Sequence, residues 1–395
     1  MSDNAALSRP QVIAAGICAL VLTVGIARFA YTPLLPVMRA QTWLTEVAGG
    51  WLATCNYMGY MAGAMAAAAV GDLQRKFRYY RIGLVVAVLT TAAMGMTDNI
   101  WLWVLLRFVA GLAATAGLLI GSGLVLNWLF RHGHRPELGI HFGGIGVGVV
   151  VSGLAAAAFA GHLDWAQQWY ALAALGVLLF LPAWFWLPAP VPYAATPAPG
   201  SALPARRGPG KAWMSLFLAA YFCAGFGFVV SATFNVAMVE RLPELRGQGN
   251  MVWMLVGLAA APSCFVWDHL SRRMGQIPAM LLAYVVQIVS IVMSALATGL
   301  VANIFAALLY GGSFVGIVSL ALSVIGRAFP ANPAKAMARL TLSYGVAQIV
   351  APAMTGYIAQ ATGTYRGALL LAAGIMLAGM VCLVLMRRQP QPALV

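Results

Sequence analysis

Acidic residues are scarce in this chain: nine Asp and Glu stand against 23 Lys and Arg in 395 residues. Charged residues of both signs make up 8% of the whole, where soluble domains carry about a quarter. With 62% hydrophobic side chains, a water-soluble fold could not bury its apolar surface, so lipid is the expected solvent. Five cysteines (Cys18, Cys55, Cys223, Cys264 and Cys382) all fall in apolar runs and form no C-x-x-C pair, so they read as small buried hydrophobes. His, Cys and acidic residues make no metal-ligand cluster, and neither metal nor other cofactor is expected. No Ser/His/Asp set can be assembled, so the chain does not read as an enzyme. Gly210-Lys211 lacks the upstream glycine spacing and the Ser/Thr of a phosphate-binding loop, which removes direct ATP drive. The net charge of +14 comes without a basic domain or an aromatic RNA-binding motif, so nucleic acid is not an expected partner.

Long apolar runs are abundant. They lie near residues 11–36, 47–70, 80–98, 100–129, 139–161, 166–188, 212–239, 250–270, 277–298, 302–326, 336–359 and 365–387. Each is close to the ~20 residues that cross a bilayer as a helix, and backbone in hydrocarbon must satisfy its own hydrogen bonds. An all-α integral membrane protein of twelve transmembrane helices is expected. The first run is too long for a cleavable signal and lacks a small-residue cleavage site, so it is expected to stay as the first span.

Loop charge supplies the orientation. One set of connections holds Arg9, Arg75, Lys76, Arg78, Arg81, Arg131, Arg135, Arg206, Arg207, Lys211, Arg272, Arg273, Arg327, Lys335, Arg339, Arg387 and Arg388. The alternate set holds only Arg39, Arg241, Arg246 and Arg366. Cytoplasmic loops collect Lys and Arg, so both termini are expected in the cytoplasm of a bacterial inner-membrane protein. Residues 189–211 are rich in Pro, Ala and Gly and end in a basic cluster, which reads as a cytoplasmic linker. It divides the chain into a six-helix bundle at 1–188 and another at 212–395. The halves are weakly alike: Asp72 with Arg75 and Lys76 corresponds to Asp268 with Arg272 and Arg273, and Phe142-Gly143 to Tyr344-Gly345. Parallel repeats of this kind are a transporter device, two bundles rocking about a site at mid-membrane.

Two arginines, Arg28 and Arg107, lie deep inside apolar runs, where a guanidinium costs roughly 2.5–3.5 kcal/mol on insertion scales. At helical spacing Gly25, Arg28, Tyr31 and Thr32 share a face, and Pro33 and Pro36 are expected to distort the outer end of that helix. Arg107 lies about seven residues inside the fourth run, about 10 Å deep, comparable to Arg28. No Asp or Glu lies clearly within a span to neutralise them; Glu240, at the outer end of the seventh run, is the nearest candidate. An anionic substrate would complete such a site through bidentate hydrogen bonds. The structural alternative is that one or both arginines bond backbone carbonyls or pack between helices. Asn56, Tyr60, Asn127, Gln287, Ser313 and Tyr344 are read as contacts between helices, while Tyr31, Asn235, Tyr310 and Gln348 are kept as cavity candidates. His141 opens the fifth run and is the candidate proton carrier. Gly139, Gly143, Gly146 and Gly153 read as close helix packing, not as a dinucleotide fingerprint, because no strand precedes them.

These residues resemble the major facilitator superfamily. Gly71-Asp72 with Arg75 and Lys76 looks like a degraded form of its loop 2–3 motif, with Phe77 where a glycine is often found. Arg107-Phe-Val-Ala-Gly111 is similar to its fourth-helix motif, and the fifth-run glycines to its Gly-rich motif, without the usual Gly-Pro. The segment from Arg28 to Pro36, Arg-Phe-Ala-Tyr-Thr-Pro-Leu-Leu-Pro, looks like the signature of the YbfB/YjiJ-type subgroup. The resemblance implies that helices 1, 4, 7 and 10 line a central cavity, placing Arg28, Arg107, Asn235 and Tyr310 around it. It also implies a cytoplasmic gate at Asp72, Arg75 and Lys76, with Asp268 and Arg272 as counterpart.

The expected function is secondary active transport of a small organic anion by alternating access, coupled to protons or to a counter-anion, by a monomer in the lipid bilayer. Two other readings stay open: a broad exporter of amphipathic drugs or lipids, and a membrane sensor or integral enzyme.

Overall fold

Short polar side chains at the ends of the apolar runs set where helices begin. Thr45 accepts the amide of Ala48, Asp72 those of Gln74 and Arg75, Asn99 that of Trp101, and Asp164 that of Gln167. Each covers a backbone N–H that has no partner inside its own helix. The computed structural model describes residues 7–134, 138–191, 209–329 and 333–389, and every regular element among them is helical. The expected linker at 189–211 lies mostly outside the described residues, as do Arg135, Arg206 and Arg207.

Twelve long helices follow one another. They are α1 (Arg9–Gln41), α2 (Glu46–Ala69), α3 (Leu73–Met94), α4 (Ile100–Arg131), α5 (Leu138–Phe159) and α6 (Trp165–Phe185). After them come α7 (Lys211–Glu240), α8 (Gly249–Met274), α9 (Gln276–Leu296), α10 (Leu300–Ala328), α11 (Pro333–Thr362) and α12 (Arg366–Arg387). Gly275 alone separates α8 from α9; its φ of 90° is a backbone conformation that only glycine adopts without strain.

Among the described residues, nine of these helices are long and apolar enough to cross a membrane. The sequence reading expects twelve spans. The three that fall short are α2, α3 and α11, and their composition says why. The first turns of α3 carry Arg75, Lys76, Arg78 and Arg81, α11 carries Lys335 and Arg339, and α2 is rich in Gly and Ala and holds Glu46 and Asn56. Outward faces are apolar: Leu89, Leu178, Phe185 and Val301 are each more than 60% exposed. A surface of this kind belongs in hydrocarbon.

Helix α1 is not uniform. Val21–Phe29 is π-helical, and α-geometry resumes at Tyr31–Gln41. The distortion expected at Pro33 and Pro36 thus lies one turn upstream of them. Pro33 has no N–H to offer the carbonyls of Phe29 and Arg28, four and five residues back, and the widened turn leaves such groups open to other donors. Close backbone approach holds α1 in place: a Cβ on Gly25 would sit 2.5 Å from the Cα of Gly148 on α5. Replacing Gly25 by Val should therefore overpack the α1/α5 crossing. A loss of about 1–3 kcal/mol is expected, read as a lowered melting temperature of the purified protein in detergent. An unchanged melting temperature would show that the crossing yields easily.

Helices 1–6 meet helices 7–12 along several seams. Thr32 donates to the carbonyl of Ala232 (2.6 Å), Thr54 to that of Ile349 (2.8 Å), and the Trp253 indole to Ser152 Oγ (3.1 Å). These seams leave a chamber at the centre.

Candidate functional site

The chamber has a volume of about 300 Å³. Arg28 and Phe29 of α1 and Tyr60 of α2 line one end, and Tyr221 and Phe228 of α7, Phe314 of α10 and Tyr344 and Gln348 of α11 line its side. It runs from Arg28 past Leu119, Phe142, Leu322 and Thr341. Those four lie toward the helix ends that carry Arg131, Arg327 and Lys335, so the chamber extends toward that end of the molecule.

The two buried arginines are brought together but are held differently. Arg107 donates through Nη1 to the carbonyl of Ala27 (3.2 Å) and through Nη2 toward that of Arg28 (3.5 Å), and its guanidinium lies 4.4 Å from the Tyr31 ring centroid. The carbonyls it uses are at the end of the π-helical stretch of α1. Asn56 donates in turn to the Arg107 carbonyl at 2.9 Å. Arg107 thus ties α4 to α1 and does not line the chamber; it shares with Arg28 only a crevice of about 10 Å³, too small for a ligand. The sequence reading paired it with Arg28 across a vestibule. Main-chain oxygens at the end of the π-helical stretch, which no helical wheel anticipates, give it another partner.

Arg28 is 5% exposed and faces the chamber. Its guanidinium lies 4.5 Å from the centroids of both Tyr57 and Tyr60 and 5.5 Å from that of Phe29. Among the described residues it meets no carboxylate and donates no hydrogen bond to the protein. Aromatic faces stabilise a cation but accept none of its five N–H groups in full. Among the described residues no acceptor meets it, which leaves water or a ligand to supply one.

The other sequence candidates divide. Gln348 lines the chamber. Tyr31 does not: its hydroxyl donates to the carbonyl of Gly49 (2.9 Å), and the change from π to α register at Ala30 separates it from Arg28. Tyr310 donates to the carbonyl of Phe228 (2.8 Å) and stacks behind Phe314, its ring 5.2 Å away, as a second layer of the wall. Asn235 is buried outside the chamber. His141 shares a hydrogen bond with Ser122 Oγ (2.8 Å) and packs under Gly16, away from the chamber lining. Glu240 accepts the amides of Gly247 and Gly249 and so braces a loop. Asp72 caps α3 and lies 3.8 Å from Arg75; Asp268 pairs with Arg272 one turn along α8 at 2.8 Å. Both gate candidates are thus locally bonded and exposed, and Lys76 lines a separate groove beside α4.

Sequence reasoning missed two things. The first is the aromatic wall. Tyr60 and Tyr344 read as contacts between helices, yet both line the chamber, as does Phe142, the repeat partner of Tyr344. Their neighbours Gly143 and Gly345 lie at equivalent crossings, against Ala261 of α8 and Met61 of α2. The second is Glu46. It is 6% exposed and the only buried carboxylate among the described residues. Arg39 lies 2.6 Å from it, and Arg241 and Tyr365 both hydrogen-bond to it. Arg39 precedes α2, whereas Arg241 and Tyr365 follow α7 and precede α12, so the cluster bolts the two sets of helices together at this end. Gln360, which approaches the Val47 amide, and Tyr357, which meets Trp51, lie beside it.

Residues 20–386 match the family model described as "Uncharacterised MFS-type transporter YbfB". The chain is also 24% identical over 260 residues to "Uncharacterized MFS-type transporter YceJ" of Bacillus subtilis (strain 168). That match covers 60% of this chain and 64% of the relative, a little under two thirds of its length. Crystal structures of the nucleoside transporter NupG and of a mutant of it superpose with a TM-score of 0.73 at 14% identity. They cover 97% and 95% of this chain and 99% of their own, and such a likeness speaks for the fold alone. With the family matched over most of its length, the chain belongs to the YbfB-type transporters of the major facilitator superfamily and is a multi-pass membrane protein, not an enzyme.

Proposed function

We propose that this transporter moves a small organic anion, carboxylate-like, across the bacterial inner membrane by alternating access, driven by protons or by exchange for a counter-anion. All twelve helices span in this reading. Even α3, whose first turns carry four basic residues, has 22 residues and is about 33 Å long at 1.5 Å per residue. Both termini and the Arg131 end of the chamber then face the cytoplasm, as the loop charges favour. Residues 1–188 and 212–395 form the two moving bundles of a monomer, joined by 189–211. The bolted Glu46 end and the chamber running toward the other end support an inward-facing state in this reading.

The observation that carries the reading is the Arg28 guanidinium: buried, facing the chamber, with no carboxylate and no hydrogen-bond acceptor among the described residues. Arg107 supports it by fixing the backbone of Arg28. Asp72, Arg75, Lys76, Asp268 and Arg272 are proposed to engage when the cytoplasmic end closes, since the ion pairs they make here are local, Asp72 with Arg75 and Asp268 with Arg272. Uptake by proteoliposomes under an imposed proton gradient, and by counterflow, tests the reading with labelled carboxylates beside labelled organic cations. Carboxylate uptake is expected; cation uptake without carboxylate uptake would overturn it. A second reading, a broad exporter of amphipathic compounds, is favoured by the aromatic lining and would show both.

A further inference from the structure

Resting on the anion reading, we infer that the cargo is a flat aromatic monocarboxylate, seated with its carboxylate on Arg28 and its ring among Phe228, Phe314 and Tyr344. Three observations point the same way.

The first is charge. One guanidinium lines the chamber; the neighbouring one, Arg107, is engaged by two carbonyl oxygens and lies outside the lining. A single negative charge is therefore compensated. A dicarboxylate or a phosphate dianion would carry its second charge into an apolar enclosure, which is costly without a partner.

The second is shape. The rings beside the chamber form a continuous array: Tyr221 to Tyr344 at 4.6 Å, Tyr344 to Phe228 at 5.9 Å, and Phe228 to Phe314 at 5.2 Å between centroids. Tyr310 backs Phe314 and holds its own hydroxyl on a main-chain oxygen, so the array is supported from behind. Rings fixed in this way prefer a further ring, stacked or edge-on, over a flexible chain, which loses more conformational freedom on binding. The volume of about 300 Å³ is at the lower end of the range for ligand pockets, so one or two fused rings fit better than a lipid.

The third is polarity. Tyr60, Tyr221, Tyr344 and Gln348 bring hydroxyl and amide groups to the chamber lining. These groups lie on several walls and can meet a ring substituent or a carboxylate oxygen, but none adds charge.

The test uses the full-length protein in detergent and five probes: 2-naphthoate, succinate, inorganic phosphate, 2-naphthylmethylammonium and uridine. Binding is read by calorimetry and by the shift in melting temperature. 2-Naphthoate is expected to bind at least about tenfold more tightly than any other, the factor expected from one charge-assisted bidentate contact. Tyr344→Leu should weaken 2-naphthoate by about threefold to tenfold, while Arg28→Gln should remove most of the binding. Tighter binding of succinate or phosphate would overturn the aromatic class and leave the anion reading standing. Tighter binding of the ammonium probe or of uridine would overturn both. Absence of binding by all five would also overturn the inference.

Discussion

Arg28→Ala should lower carboxylate uptake at sub-saturating concentration by about tenfold to a hundredfold, with the fold left as stable as before or more so. The first part follows from losing a charge-assisted, bidentate contact worth roughly 1.5–3 kcal/mol. The second follows from the absence of an acceptor for this guanidinium among the described residues: its removal breaks no hydrogen bond to them and relieves a desolvated charge. Arg28→Lys should recover little, because a point charge cannot present two parallel N–H groups to a carboxylate. Arg107→Ala should behave in the opposite sense. It strips donors from the carbonyls of Ala27 and Arg28, so its main effect should be a lowered melting temperature. Uptake and thermal denaturation, measured on both variants, separate the two roles. Should Arg28→Ala transport as the wild type does, or Arg107→Ala melt as the wild type does, the division of labour between them fails.

The second large effect is expected at Glu46. Glu46→Gln leaves Arg39 and Arg241 facing each other without a carboxylate and weakens the bond to Tyr365. Both arginines are partly exposed, their side chains at 24% and 29%, so the loss is smaller than for a fully buried pair, about 1–3 kcal/mol. Set against an equilibrium between open and closed ends, that is a shift of about tenfold to a hundredfold toward opening at the Glu46 end. Spin labels at Asp98 and Arg246, both exposed loop positions at this end, would report it as a new long-distance population in pulsed dipolar spectroscopy on a background without the native cysteines. Arg241→Gln should do the same, because Arg241 reaches Glu46 from the far side of the seam. Arg39→Gln should do less, because Arg39 and Glu46 sit on successive helices of the same half. Distances that stay unchanged in both Glu46→Gln and Arg241→Gln would mean that the cluster does not hold the end shut.

The sequence made the helices legible and their partners much less so. Twelve apolar runs correspond to twelve helices because the 3.6-residue rod is the simplest way to satisfy backbone in a continuous apolar segment. Arg28 and Arg107 stand out for the same reason, as polar exceptions in those runs. What separates them was hidden. The π-helical register of Val21–Phe29 decides which carbonyls are free, and no periodicity argument that assumes an α-helix can foresee it. Glu46 was hidden too. An acidic residue in the first turn of a helix is ordinary, and the groups that bury it come from positions 195 and 319 residues away. Arg39 and Arg241, two of the few basic residues on the sparsely charged side, were legible only as a charge count.

Arg107 grips the main chain of α1 at the very residue whose side chain reaches into the chamber. A load applied at the tip of Arg28 is therefore borne by the backbones of two helices instead of by one flexible side chain. The chamber's single positive contact behaves as a stiff lever, and any guest that pulls on it pulls on α1 and α4 as one piece.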